Sequence, residues 1–396
     1  MISDLVLNME ESATLAMAAK ARELRESGVN IIGLSLGEPD FKTPAHICEG
    51  AKEAIDSGNY FAYPPVPGYK DFREAIATKL KEENGIKEAT AEHIVVSNGA
   101  KQSIANVMFA LLNPGDEVII FSPYWVSYST LVYLPGGKPV FANAGIDQDF
   151  KVTAEQVEKA VTSRTKAILF SSPCNPTGAV FNRKELESIA EVAKKHNLIV
   201  ISDEIYEHIN YEGAHTSIAS LPDMFERTVT VNGFAKGFAM TGWRVGYICA
   251  PINIVKACVK IQGQITSANC SIAQRAALTA ITTDLTPTFD MVEAYRNRRD
   301  LVFDLLNKIP GIKSNMPSGA FYFFPDVSAF FGKSDGKNTI KDANDLCLYL
   351  LAEAHVSLVE GGAFGAPDCL RLSYAASEDD LIEALKRMKE ALAKLK

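Results

Sequence analysis

From residue 93 to residue 202 the chain alternates short apolar runs with longer stretches of helix-forming residues. The pattern predicts strands at 93–97, 117–121, 138–142, 166–170 and 198–202, with helices opening at 98, near 126–133, at 153–161 and at 183–196. A regular strand-and-helix order of this kind implies an α/β fold with a mostly parallel central sheet covered by helices on both faces. The run LIVISDE (198–204) is almost wholly apolar, as a strand buried on both faces should be, and it ends in Asp203. Ligands in such folds sit beyond the carboxyl ends of the strands, which places Asp203 for function.

Outside that block, helices are expected at 10–27, 44–57 and 70–84. After residue 251 a long helical region reaches about 307, broken near Asn269 and Pro287, and 311–396 mixes strands (320–325, 356–359, 369–373) with helices (342–354, 377–394). This implies a smaller α+β domain. The expected division is an N-terminal arm with part of the small domain at 1–48, a large domain at 49–295 and the small C-terminal domain at 296–396.

A net charge of -8 and a pI near 5.4 argue against nucleic acid or an acidic membrane surface as partner. Seven widely spaced cysteines without a CxxC indicate neither a disulfide framework nor a metal site, and fit a reducing cytoplasm. No apolar run approaches the roughly eighteen residues of a membrane span, and the first residues carry no basic, apolar leader.

The stretch 228–251, TVTVNGFAKGFAMTGWRVGYICAP, reads as strand, loop, strand, and its loop holds Lys236 among Gly233, Phe234, Ala235 and Gly237. A lysine in apolar surroundings is partly desolvated, which favours the neutral amine and suits it to bond a carbonyl carbon. Arg244, eight residues on (244 minus 236), offers a fixed fork for a phosphate. Amine plus phosphate anchor suggests pyridoxal phosphate, although a lysine in a glycine-rich loop is by itself an ordinary surface residue.

That cofactor needs an acid for its pyridine nitrogen and anchors for its phosphate. Asp203 suits the first role; Gly99, Ala100 and Lys101, in a strand–glycine turn–helix junction, suit the second through free N–H groups and the helix dipole. Tyr206 and Asn175 follow two different strands and could reach a ring oxygen, and Trp125 after a third could stack on the ring. Each has a plainer reading: helix cap for Asp203, turn chemistry for Asn175-Pro176, core aromatic for Trp125. Arg371, inside the apolar run CLRLSY, needs a carboxylate, either a structural acid or a substrate's.

In sum of motifs the chain resembles the class I aminotransferases of the fold type I pyridoxal phosphate enzymes, most closely the bacterial aspartate aminotransferase branch that includes prephenate-active members. The resemblance runs from ESATLAMAAKARELRESG and LSLGEPDF through YPPVPGYKDFREAI, SNGAKQ, SPYWVSY, PCNPTG, SDEIYE, NGFAKGFAMTGWRVGY and GAFYFFP to CLRLSYA. It implies that Lys236 holds the cofactor and shuttles the substrate proton, Asp203 holds the ring nitrogen, Tyr206 and Asn175 the ring oxygen, Trp125 the ring face, and Arg244 with the backbone at Gly99, Ala100 and Lys101 the phosphate. Arg371 would clamp the α-carboxylate with Asn175 and the Gly37 backbone. Tyr63, five residues before Gly68, would reach the phosphate of a neighbouring subunit, which implies a homodimer with shared active sites.

Two positions depart from relatives: Gly233 stands where many carry a phosphate-binding serine, and no arginine for a side-chain carboxylate is evident, Arg275 reading equally as a surface charge. In the resembling branch the Lys101 side chain takes that role, with Ser12 and Thr14. The expectation is a cytoplasmic ping-pong aminotransferase passing an amino group between L-aspartate and 2-oxoglutarate. Its rivals are a prephenate, aromatic or alanine aminotransferase or a lyase on the same scaffold, and a non-catalytic cofactor-binding regulator. A nicotinamide dehydrogenase is disfavoured by the absence of GxGxxG.

Overall fold

The computed structural model describes every residue except Met1, Asn8, Glu10 and Ser12. Its main sheet has seven strands in the spatial order Ile94–Ser97, Gly246–Cys249, Thr228–Gly233, Ile199–Asp203, Thr165–Ser171, Glu117–Ser122, Lys138–Asn143. Six of them run in one direction; Gly246–Cys249 is reversed, antiparallel to both of its neighbours.

Successive side chains of a strand point to opposite faces, and here both faces are apolar. Val118 and Ile120 face a core shared with Ile104, Val107 and Met108 of the helix Ala100–Leu111. Ile119 and Phe121 face another core, shared with Leu186, Ile189 and Ala190 of the helix Arg183–Lys195. The 3.6-residue period of each helix meets the two-residue period of the strands, so the sheet is covered on both faces as the sequence pattern implied. The second helix is started by a capping box, with Glu185 N–H donating to Asn182 Oδ1 at 3.0 Å and Asn182 N–H to Glu185 Oε2 at 2.8 Å.

A separate core unites the two ends of the chain. Met17, Ala21 and Ile31–Leu34 pack with Tyr322, Leu346, Leu372 and Leu385, and Ile32–Gly33 pairs in parallel with Val356–Ser357. Leu370–Ser373 lies antiparallel between Val359–Glu360 and Tyr322–Phe323. The expected interruption near Pro287 is present: one helix, Ser271–Thr282, ends there and the next, Thr286–Leu306, carries Pro287 in its first turn, where its missing N–H costs nothing. Among the described residues no helix is long and apolar enough to cross a membrane.

The reversed strand brings two glycines together. Gly99 caps the helix Ala100–Leu111 with φ of 83°, and a Cβ on Gly246 would overlap the Ala100 amide nitrogen. Gly246→Ala must therefore push this helix start away from the sheet. The expected cost is about 1–3 kcal/mol of stability, read as a lowered denaturation midpoint.

Candidate active site

Beyond the carboxyl ends of the parallel strands lies a cavity of about 300 Å³. Ala100 and Lys101 reach it from the helix start after Ile94–Ser97, Trp125 from after Glu117–Ser122, Asn175 from after Thr165–Ser171, and Asp203 and Tyr206 from the end of Ile199–Asp203. Lys236 and Arg244 come from the loop between Thr228–Gly233 and Gly246–Cys249. Gly37 and Thr14 line it from the N-terminal segment and Arg371 from the small sheet. Gly99 stands just behind this wall. Ser12 falls outside the described residues, and Tyr63 lies away from the cavity of its own chain, 93% exposed. Arg275 is also elsewhere: its guanidinium forks onto Asp71 at 2.6 and 2.9 Å and stacks on Tyr60 and Tyr69.

Burial lowers the Lys236 amine to about 8, with Arg371 and Arg244 adding repulsion and Glu38 opposing. Its Nζ donates to the Gly37 carbonyl at 2.5 Å. Burial pushes the Asp203 carboxyl up to about 6, against the lowering effect of the Tyr128 hydroxyl, which donates to Oδ2 at 2.7 Å, and of the Ile205 N–H on Oδ1. An opposite charge brought to Asp203 would reverse that shift.

Arg244 holds a left-handed backbone, φ 56°, unusual for a residue with a side chain. Its carbonyl is pinned by Asn269 Nδ2 at 2.7 Å, and its guanidinium leans over Gly99, where a Cβ would come within 2.5 Å of it. Arg371 is 1% exposed, donates to Asn175 Oδ1 at 2.9 Å and to the Ser35 carbonyl at 2.6 Å, and leaves Nε without a partner. The rings of Tyr322 and Phe364 lie against its guanidinium, with centroids at 4.7 and 4.9 Å. The Lys101 ammonium rests over the Trp125 ring at 4.9 Å. Among the described residues none of these four cations has an ion-pair partner; the acids on the wall are Glu38 and Asp203 alone. The cavity is a positively charged receptacle with a nucleophilic amine in it.

Residues 29–388 match the family described as aminotransferase class I and II. The chain belongs to that family. It is 47% identical to a bifunctional aspartate aminotransferase and glutamate/aspartate-prephenate aminotransferase of Petunia hybrida, over 100% of this chain and 83% of that one. It is 44% identical to an aspartate/prephenate aminotransferase of Cereibacter sphaeroides, over 100% and 99%. The solved aspartate aminotransferase of Thermus thermophilus with maleate superposes with a TM-score of 0.93 at 43% identity, over 99% of both chains. This aminotransferase accordingly works on amino-acid and 2-oxo-acid substrates and depends on pyridoxal phosphate.

The residues present fit that cofactor. An aldehyde would find the depressed amine of Lys236, a pyridinium the buried Asp203, and a phosphate Arg244 with the open N-terminus of Ala100–Leu111, where glycines keep Cβ atoms out of the way. Sequence reading passed over Tyr128 and Tyr322. The one signal for Tyr128 was its position three residues after Trp125, which puts both on one side of a helical turn, their rings edge to face at 5.5 Å. Gly233 also has a physical reason: a Cβ there would come 2.8 Å from the Val245 carbonyl and 2.9 Å from Gly246 Cα, so a serine needs the neighbouring strand to move.

Behind Asp203 lies a second set of buried charges. Glu204 accepts from Ser202 and Ser217 at 2.9 and 2.8 Å and pairs with His215 at 2.9 Å, while Glu207 pairs with Lys79 and accepts from Asn84 at 2.6 Å. Burial alone would raise the Glu207 carboxyl; the Lys79 ammonium, with His208 and His215, overrides it and holds the group at about 2. A depressed carboxyl stabilises the fold above its unfolded pKa of 4.5, and that contribution disappears as pH falls toward 2. Lys79→Met is expected to cost about 3–5 kcal/mol at pH 7, with the gap to the parent closing below pH 4.5. Denaturant titrations across pH 3–8 check this.

Proposed function

We propose that this aminotransferase passes an amino group between L-aspartate and 2-oxoglutarate in two half-reactions, as a cytoplasmic homodimer with shared active sites. The observation that carries the reading is Arg371: a fully buried guanidinium with a free Nε and no acid of its own chain to pair with among the described residues, in the same cavity as a lysine whose amine sits near 8. A substrate α-carboxylate supplies the missing partner, and Asn175, already bonded to Arg371, orients the fork.

Bound pyridoxal phosphate supplies the electron sink that lets the bond between a substrate's α-carbon and its hydrogen break. Asp203, held by Tyr128, keeps a counter-charge at the ring nitrogen; Tyr206 donates to the ring oxygen; Trp125 covers the ring; Arg244 and the N–H groups after Gly99 take the phosphate. Lys236 Nζ accepts the α-proton and returns it. At pH 7.5 an amine near 8 is about a quarter neutral, against about one part in a thousand for an ordinary lysine at 10.5, so the depressed value makes the base available.

The side-chain carboxylate of an acidic donor is assigned to the Lys101 ammonium, with Thr14 on the same cavity wall and Ser12 two residues before Thr14 in the sequence. Burial and the Arg244 charge destabilise that ammonium, and an added carboxylate relieves both effects. The names of the Petunia and Cereibacter relatives favour prephenate as a further acceptor. Dimer formation is supported by the loop carrying Phe61 and Tyr63, which are 72% and 93% exposed. Its base is held by Gln262 on the Val66 carbonyl at 2.7 Å and by Val96 N–H on the Pro67 carbonyl at 3.0 Å. Free thiols at all seven cysteines accord with a reducing compartment.

The absorption spectrum of the purified enzyme tests the reading: a visible cofactor band should bleach with low concentrations of L-aspartate and far less readily with L-alanine or L-phenylalanine. Bleaching by L-arogenate alone would replace aspartate with the prephenate reading, and no band after added pyridoxal phosphate would refute both. Lys101→Ala should raise the KM for aspartate by about tenfold to a hundredfold, the equivalent of about 1.5–3 kcal/mol for a charged hydrogen bond, with little change for alanine.

A further inference from the structure

We propose that Tyr322, which no part of the cavity wall includes, is a positioning residue that sets the strength of the Tyr206 hydrogen bond and the posture of Arg371. The proposal rests on the placement of Tyr206 at the cofactor's ring oxygen. Tyr322 is wholly buried on the strand Tyr322–Phe323 of the small sheet, and its hydroxyl lies 2.7 Å from that of Tyr206. Its ring lies against the Arg371 guanidinium, centroid at 4.7 Å. Its hydroxyl also fills the space a Cβ would need at Gly37, whose carbonyl receives the Lys236 amine. One phenol thus touches the holders of the ring oxygen, the α-carboxylate and the amine.

The backbone that aims Tyr322 is itself held. Ala320, two residues earlier, takes a left-handed conformation, φ 55°; its N–H donates to the Ile209 carbonyl at 2.8 Å, and its carbonyl accepts the Tyr211 and Tyr374 hydroxyls at 2.7 and 3.0 Å. A strained alanine fixed by three hydrogen bonds is a costly way to place a side chain that serves packing alone.

A phenol has one proton to give. When the Tyr206 proton is directed at a ring oxygen, the 2.7 Å contact must be filled by the Tyr322 proton, giving a chain Tyr322 to Tyr206 to ring oxygen. Donation to the Tyr206 oxygen polarises its O–H and strengthens the outgoing bond. The charged groups facing this pair are Arg371 against the Tyr322 ring, Lys236 at 5.8 Å from the Tyr206 ring, and Asp203. All three stay in place in the variants below, so their fields are common to every comparison.

Hydrogen-bond donation to the ring oxygen favours the deprotonated form of the bound cofactor, so weakening the chain raises the midpoint of the visible band's pH titration. Tyr206→Phe removes the donor and should raise that midpoint most; Tyr322→Phe should raise it in the same direction by about half a unit to one unit. In the Tyr206→Phe background, Tyr322→Phe should add nothing, because it acts only through Tyr206. Tyr322→Phe keeps the ring under Arg371 and should leave the dissociation constant for maleate, read from the same band, within about twofold; Tyr322→Leu, which removes the ring, should weaken it by about fivefold or more. A Tyr322→Phe enzyme that titrates like the parent, or a shift that persists undiminished without Tyr206, overturns the proposal. A parent enzyme with no titrating band at all overturns the placement of the cofactor instead, so the two failures are told apart.

Discussion

Four cations share one cavity, and among the described residues none is neutralised by an acid of the same chain. Lys101, Lys236, Arg244 and Arg371 come from different parts of the sequence and converge on one space; Arg371 is wholly buried and Lys236 half-buried, while Lys101 and Arg244 keep part of their surface in water. Such an arrangement is unfavourable without anions and is tolerated because the rest of the fold is rigid enough to enforce it. The anions a transamination brings, a phosphate and one or two carboxylates, are the groups that relieve it. The depressed amine of Lys236 owes most to burial, and the neighbouring cations add to it.

The rigidity comes from how the sheet is made. Strands buried on both faces place their carboxyl ends in one plane, and the single reversed strand Gly246–Cys249 turns the Lys236 loop back so that Arg244 lies against the helix start at Gly99. The Tyr128 hydroxyl holds the Asp203 carboxylate, and the buried pairs Glu204–His215 and Lys79–Glu207 occupy the region behind it. The small sheet then supplies Arg371 and, beneath it, Tyr322. The site is an assembly of two cores meeting at one cavity.

Much of this could be read from the order of residues. The strand-and-helix alternation from 93 to 202 defined the main sheet, because hydrophobic period is a local property that burial on two faces stamps on every strand. Lys236, Asp203, Asn175, Trp125 and Arg371 stood out because each is a residue type out of keeping with its apolar or turn-forming neighbours. Tyr128 and Tyr322 did not, since a tyrosine in an aromatic run such as FYFF looks like core, and nothing local says where its hydroxyl points. Gly233 could be noticed but not explained until Val245 and Gly246 were seen beside it.

Local chemistry and periodicity, then, carry the α/β class and single out a lysine in an apolar loop and an acid at a strand end, and the order of motifs carries the resemblance to the family. Partnerships across long sequence separations are another matter. That Arg371 meets Asn175 and Ser35 and no carboxylate, that Tyr322 meets Tyr206 across 116 residues, and that Gly246 must make room for Ala100 were decided by the packing of one core on the other. A hydrogen bond is short-ranged and directional, so its partner is known only once the backbone has brought two distant atoms within about 3 Å.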